Sequence, residues 1–222
     1  MILEQVPLLN SIYVIILTLS GLGFLFLRKT WGKIVPDIFF WIHFFIVCWS
    51  AMMYMNLVFQ TPLAPYAYYC DWIVSTPLIM LALGLTAMYP FTKINWSVLF
   101  AIMMTQGMII VTGFLAQISG NNSAMLSFFI AGNALMLLIF YLVFGPLMNF
   151  AQSNKKLAEK YRTLASLLVL FWISYPLVWI IGTPGYAIIS PYATSILFII
   201  LPILCKPVFG IIDLYLVKTM DN

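Results

Sequence analysis

Charge is what this sequence has least of. Charged side chains make up 7% of its 222 residues against 64% hydrophobic ones, too few to cover a water-facing surface, so lipid must solvate most of the exterior. The mean hydropathy of +1.07 agrees, and soluble enzymes and nucleic-acid binders are excluded on this ground. The formal net charge of +4 says nothing about a polyanionic partner, because the placement of cations matters more than their sum. Cysteine is also scarce: Cys48, Cys70 and Cys205 lie in apolar runs with no CxxC and no His-rich neighbours, which argues against a disulfide framework and a metal site and reads them as packing residues. The first ten residues, MILEQVPLLN, lack a basic region and an A-x-A-like cleavage site, so the first apolar stretch is read as a span retained in the mature protein.

What is present is long apolar runs. A helix needs about 20 apolar residues to cross a bilayer core, and seven segments qualify: 7–27, 36–58, 67–88, 95–117, 123–147, 163–181 and 192–217. The breaks between them, such as QTPLAPY, SGNNS and GTPGYAIISPY, are rich in turn-forming residues or charge. The expected architecture is all-α, a single seven-helix transmembrane domain over residues 1–222, in a cell membrane and surrounded by lipid. Arg28, Lys29, Lys33, Lys93, Lys155, Lys156, Lys160, Arg162 and Lys218 fall on one side of the bundle and no Lys or Arg falls in the loops opposite. The positive-inside rule then puts the N-terminus outside and the C-terminus in the cytoplasm.

Lys206 is the remaining cation, near the middle of the seventh span, where a charge is costly unless paired or chemically altered. Asp71, Asp213 and His43 also lie within spans, and Asp37 sits at a span entrance where water can reach it. Lys206 and Asp213 are seven residues apart, about 700° of helical rotation and some 10 Å of rise, so they share a face. Counting along antiparallel spans puts Asp71 on the extracellular side of centre and His43 at roughly the depth of Asp213. Plain alternatives stand for each group: His43 as a helix-to-helix hydrogen-bond donor, Asp71 and Lys206 as an ion pair locking two helices, Asp213 as a hydrated boundary residue. No other acids and no Ser/His/Asp groupings accompany them, which argues against catalysis on a diffusible substrate.

Three segments join these groups to large rings: CDWIVSTPLIMLALG, FWISYPLVWIIG and LPILCKPVFG. Trp172, Tyr175 and Trp179 form one stripe, which by itself also suits ordinary packing. Together with Asp71-Trp72, Thr76-Pro77 and a lysine in the seventh span, the pattern resembles the microbial rhodopsins over nearly the whole chain. The resemblance implies all-trans retinal bound to Lys206 as a protonated Schiff base, with Asp71 as counterion. It implies a chromophore pocket of Trp72, Thr76, Ile79, Gly113, Trp172, Tyr175 and Trp179. It also implies homo-oligomers, usually trimers or pentamers.

Departures from the outward-pumping pattern of that family are specific. A helix-seven aspartate one turn before the lysine is replaced by Pro202, an arginine three residues before the counterion by Tyr68, and a carboxyl donor eleven residues after it by Ala82. The proline change, and an aspartate seven residues after the lysine, resemble the xenorhodopsin branch, which includes inward proton pumps and a photosensor. His43 with Asp213 matches the cytoplasmic acceptor pair of some of those pumps. The expectation is inward proton transport: release towards Asp213 with His43, refilling past Asp71 and the Tyr66, Tyr68 and Tyr69 region, Ser75 orienting the carboxylate or a water, and Pro202 loosening helix seven. The competing expectation is a photosensor read by a cytoplasmic transducer. The last residues, TMDN, favour transport.

Overall fold

The computed structural model describes residues 7–220, so the reading of the first ten residues as leaderless lies largely outside the described residues. Seven helices are long and apolar enough to cross a membrane. They are α1 (Pro7–Trp31), α2 (Asp37–Val58), α3 (Ala67–Ala87), α4 (Trp96–Ile118), α5 (Asn122–Ala151), α6 (Lys155–Ile181) and α7 (Pro191–Lys218). A single 3-10 turn, Ala64–Tyr66, leads into α3. Among the described residues there is no strand. In lipid every backbone polar group must be satisfied within its own segment, and helices do this.

Local chemistry sets the helix starts. The side chains of Asn95, Asn121, Asn154 and Ser190 each accept a hydrogen bond from a backbone N–H in the first turn of the following helix. Asn154 explains the main difference from the sequence expectation: α6 begins at Lys155, two turns before residue 163. The lysine-rich stretch that reads as loop is helical because charge does not stop a helix and a capping asparagine starts one. Similarly, α1 runs on to Trp31 rather than ending near residue 27.

Sequential helices pack side by side and α7 closes the ring against α1, with α3 also touching α6 and α7. Burial follows: 61% of the apolar window of α3 is buried inside the bundle against 11% for α5, which makes α3 the inner helix and α5 an outer, lipid-facing one. The nine cations of the loops and helix ends gather at one end, called here the basic end. There Arg28 forms an ion pair with Asp37 at 2.5 Å, and Lys218 lies 4.3 Å from the centre of the Trp31 ring.

Prolines inside α7 shape the segment around Lys206. Pro202 has no N–H to offer the carbonyl of Phe198 one turn earlier. The Tyr54 hydroxyl of α2 donates to that carbonyl at 2.9 Å. Residues Leu204–Val208, which contain Lys206 and Pro207, then form a π turn, the wider winding that recurs at functional sites.

Candidate functional site

Two buried polar clusters lie along α7. In the first, Lys206 is 1% and Asp71 0% exposed. The Lys206 ammonium donates to Asp71 Oδ2 and, at 2.9 Å, to Ser50 Oγ. Ser50 Oγ donates to the same Asp71 Oδ2 at 2.9 Å, and the Tyr13 hydroxyl lies 3.0 Å from Ser50 Oγ. A buried ion pair is tolerable only when its partners are also hydrogen-bonded, and Ser50 supplies that contact. Asp71 Oδ1 and Ser75 Oγ are buried without a hydrogen-bond partner. The hydroxyl bonded directly to the carboxylate is therefore that of Ser50, and of the two roles expected for Ser75, orienting the carboxylate or a water, the direct bond to the carboxylate is not formed.

The second cluster lies towards the basic end. His43 Nε2 and Asp213 Oδ2 are 2.8 Å apart, and Thr86 of α3 donates to Asp213 Oδ1 at 2.5 Å. His43 and Asp213 are 1% and 0% exposed, and His43 Nδ1 has no partner. The imidazole sits between Phe24 and Phe209, with ring centroids at 5.6 and 6.0 Å. Gly210 makes the site possible: a Cβ there would fall 2.9 Å from His43 Nδ1 and 2.8 Å from Phe24 Cζ.

An apolar cavity of about 120 Å³ lies beside Trp72, the residue after Asp71, between α3, α4, α5, α6 and, through Phe198, α7. Trp72, Thr76, Gly113, Trp172, Tyr175 and Trp179 all line it. Ile79 and Pro202 are buried but do not line it, and Lys206 reaches Asp71 rather than the cavity itself. One end is held by hydrogen bonds: Trp179 Nε1 donates to Tyr69 Oη at 2.9 Å, and the Tyr69 hydroxyl donates to the Gly113 carbonyl at 3.2 Å. Gln106 adds a polar group, its amide donating to Thr76 Oγ1 at 3.0 Å.

Ser50, Thr86, Tyr13 and Gln106 are the participants that sequence reasoning missed. Ser50 carried a usable signal, since it lies seven residues from His43 on α2, the same interval that separates Lys206 and Asp213 on α7. The two antiparallel helices meet at both pairs. Thr86 and Tyr13 carried none, because one hydroxyl among many in apolar spans is unremarkable until the helices are packed. Among the described residues no group of His, Cys, Asp or Glu is suited to hold a metal ion.

Comparison with known proteins gives a consistent relationship. The family described as Bacteriorhodopsin-like protein matches residues 7–220. Archaerhodopsin-3 of Halorubrum sodomense is 30% identical over 148 residues, 66% of this chain and 55% of the relative, so the match spans little more than half of that relative's length. Bacteriorhodopsin of Halobacterium salinarum is 29% identical over 210 residues, covering 87% of this chain and 78% of the relative. Among solved structures, the inward H(+) pump xenorhodopsin superimposes with a TM-score of 0.90 at 39% identity, covering 96% of this chain and 93% of its own. A thermophilic rhodopsin from Rubrobacter xylanophilus gives 0.86 at 28%, covering 96% and 97%.

Proposed function

We propose that this chain, which belongs to the bacteriorhodopsin-like family, is a light-driven inward proton pump that carries all-trans retinal on Lys206. The observation that carries the direction is the second cluster: His43, Asp213 and Thr86 form a buried, hydrogen-bonded acceptor towards the basic end. On the opposite side of Lys206, Asp71 is the single acidic residue among those described. The positive-inside rule makes the basic end cytoplasmic.

The side chains present suit the chromophore. Lys206 is a fully buried primary amine, and the neighbouring cavity is walled by indole and phenol rings that match an apolar polyene. Asp71 and Ser50 both accept from Lys206 Nζ, so an acceptor stands beside the single N–H⁺ that a Schiff base would retain. When bound as a protonated Schiff base, retinal supplies light absorption and a bond rotation that re-aims this N–H. Trp72, Thr76, Gly113, Trp172, Tyr175 and Trp179 would hold it.

The residues of the chain do the rest. Asp71 holds the proton at Lys206 Nζ in the dark, and Ser50 keeps the carboxylate oriented. Once the N–H no longer points at Asp71, the proton moves towards the basic end, where two sites can hold it. With Asp213 ionised, His43 Nε2–H donates to it and the unpartnered Nδ1 is a free base, so the pair accepts a proton at Nδ1 or at the carboxylate. Thr86 steadies the ionised form through Oδ1. Asp71 serves the return from the opposite face. A single seven-helix domain, assembled as a homo-oligomer, belongs to the same reading, the assembly resting on family resemblance alone.

Illumination of cells or vesicles decides the matter. Inward pumping makes the outer medium more alkaline, and a protonophore abolishes the change. Acidification would reverse the assignment, a normal photocycle without flux would indicate a photosensor, and no visible band after adding retinal would remove both.

A further inference from the structure

The Ser50 hydroxyl has one proton, and three groups surround its oxygen. That proton goes to Asp71 Oδ2 at 2.9 Å. Lys206 Nζ can only donate, at 2.9 Å. The Tyr13 hydroxyl, 3.0 Å away, must therefore donate as well. The bonds run in one direction: Tyr13 to Ser50 to Asp71.

We infer that Tyr13 of α1 is a positioning and relay residue for proton return, aiming the Ser50 hydroxyl at Asp71 and linking it to the face opposite the basic end. This rests on the pumping function proposed above. Two other tyrosines near that face spend their hydroxyls elsewhere. Tyr69 bonds Trp179 and the Gly113 carbonyl, and Tyr54 serves the Phe198 carbonyl. Tyr66 is 41% exposed and packs on Phe114, and Tyr68 meets Tyr54, Trp72 and Phe198 through its ring. Tyr13 is the tyrosine hydrogen-bonded to the Ser50–Asp71 pair, which favours a return route along α1 over the expected one past Tyr66, Tyr68 and Tyr69. Tyr13 is 0% exposed, its ring held 4.2 Å from that of Tyr54. Three residues nearer the helix end, on the same face, Asn10 is 2% exposed with its Oδ1 unpartnered, a polar group where the chain would otherwise stop in apolar packing.

The relay balances. After Lys206 Nζ has lost its proton inward, three transfers occur together along the chain: an incoming proton goes to Tyr13 Oη as the Tyr13 hydroxyl proton moves to Ser50 Oγ and the Ser50 proton moves to Asp71 Oδ2. One proton enters, one reaches the carboxylate, and both hydroxyls end neutral. With Lys206 Nζ again facing Asp71, the contact of the resting state, the carboxyl returns the proton there.

Tyr13→Phe tests this in the retinal-reconstituted protein in vesicles, since it keeps the ring and removes only the hydroxyl. Inward release should keep its wild-type rate, while return slows about tenfold, the equivalent of about 1.4 kcal/mol. Infrared light-minus-dark spectra of ring-labelled wild-type protein should show a tyrosine C–O band that recovers with the return phase and vanishes in Tyr13→Phe. Packing damage alone would not make that band follow the return phase. Asn10→Leu should slow return with the colour unchanged, a second route to the answer if Tyr13→Phe folds poorly. Wild-type return in Tyr13→Phe, or no tyrosine band in the labelled wild type, overturns the relay. Outward or absent flux in the wild type refutes the pumping function itself, and inward flux with an unaltered return phase in Tyr13→Phe refutes only the relay.

Discussion

Replacing Gly210 by alanine is predicted to break the acceptor cluster from behind without substituting any of its members. The added Cβ would stand 2.8 Å from Phe24 Cζ, 2.9 Å from His43 Nδ1 and 3.0 Å from His43 Cγ. Carbon and nitrogen need about 3.5 Å, so the imidazole must recede by roughly half an ångström or more. It has little room, because Phe24 and Phe209 flank it and both are 1% exposed. The bond that gives way is the 2.8 Å contact between His43 Nε2 and Asp213 Oδ2. Overpacking of this kind costs about 1–3 kcal/mol, and loss of a hydrogen bond to a buried charged group about 1.5–3 kcal/mol. A combined loss near 3 kcal/mol corresponds to roughly hundredfold faster unfolding if it falls wholly on the unfolding barrier. The assay is the decay of helical circular dichroism in detergent at fixed temperature. Gly23→Ala is the control, since a Cβ at Gly23 meets nothing within 4 Å. Decay of Gly210→Ala within twofold of the control would refute the argument that the glycine exists to seat the histidine.

Other perturbations separate the two clusters. Asp71→Asn should move the visible band to the red, because it removes the negative charge bonded to Lys206 Nζ; an unmoved band would remove Asp71 as counterion. Asp213→Asn should leave the colour nearly unchanged and weaken inward flux, and the reverse pattern would contradict its role as acceptor. Tyr54→Phe should cost about 1–2 kcal/mol in the same unfolding assay, since the Phe198 carbonyl that Pro202 cannot serve loses its donor; unchanged stability would mean the carbonyl finds another partner.

Much of this arrangement was legible before any coordinates. Bilayer thickness fixes span length, so the spans followed from apolar runs, and helical rotation put Lys206 and Asp213 on one face. Antiparallel counting placed His43 at the depth of Asp213, where the two side chains meet. The start of α6 is not legible in the same way, because a run of lysines suits a loop as well as a helix, and it is Asn154 capping the first turn that makes it helical. Ser50, Thr86 and Tyr13 stayed hidden for a different reason. Hydroxyl residues bond their own helix as readily as a neighbouring one, as Thr105 does with the Ala101 carbonyl, so their sequence positions do not reveal which will cross between helices.

The interval between the two clusters sets the electrical behaviour of the resting protein. On α7 the stretch from Lys206 to Asp213 contains Phe209, and on α2 the stretch from Ser50 to His43 contains Ile46 and Val47, each at most 1% exposed. Along α2 and α7 a greasy stretch about 10 Å long thus separates the two hydrogen-bonded clusters. In darkness the protein should behave as an insulator, able to sit in an energised membrane at high copy number without short-circuiting it.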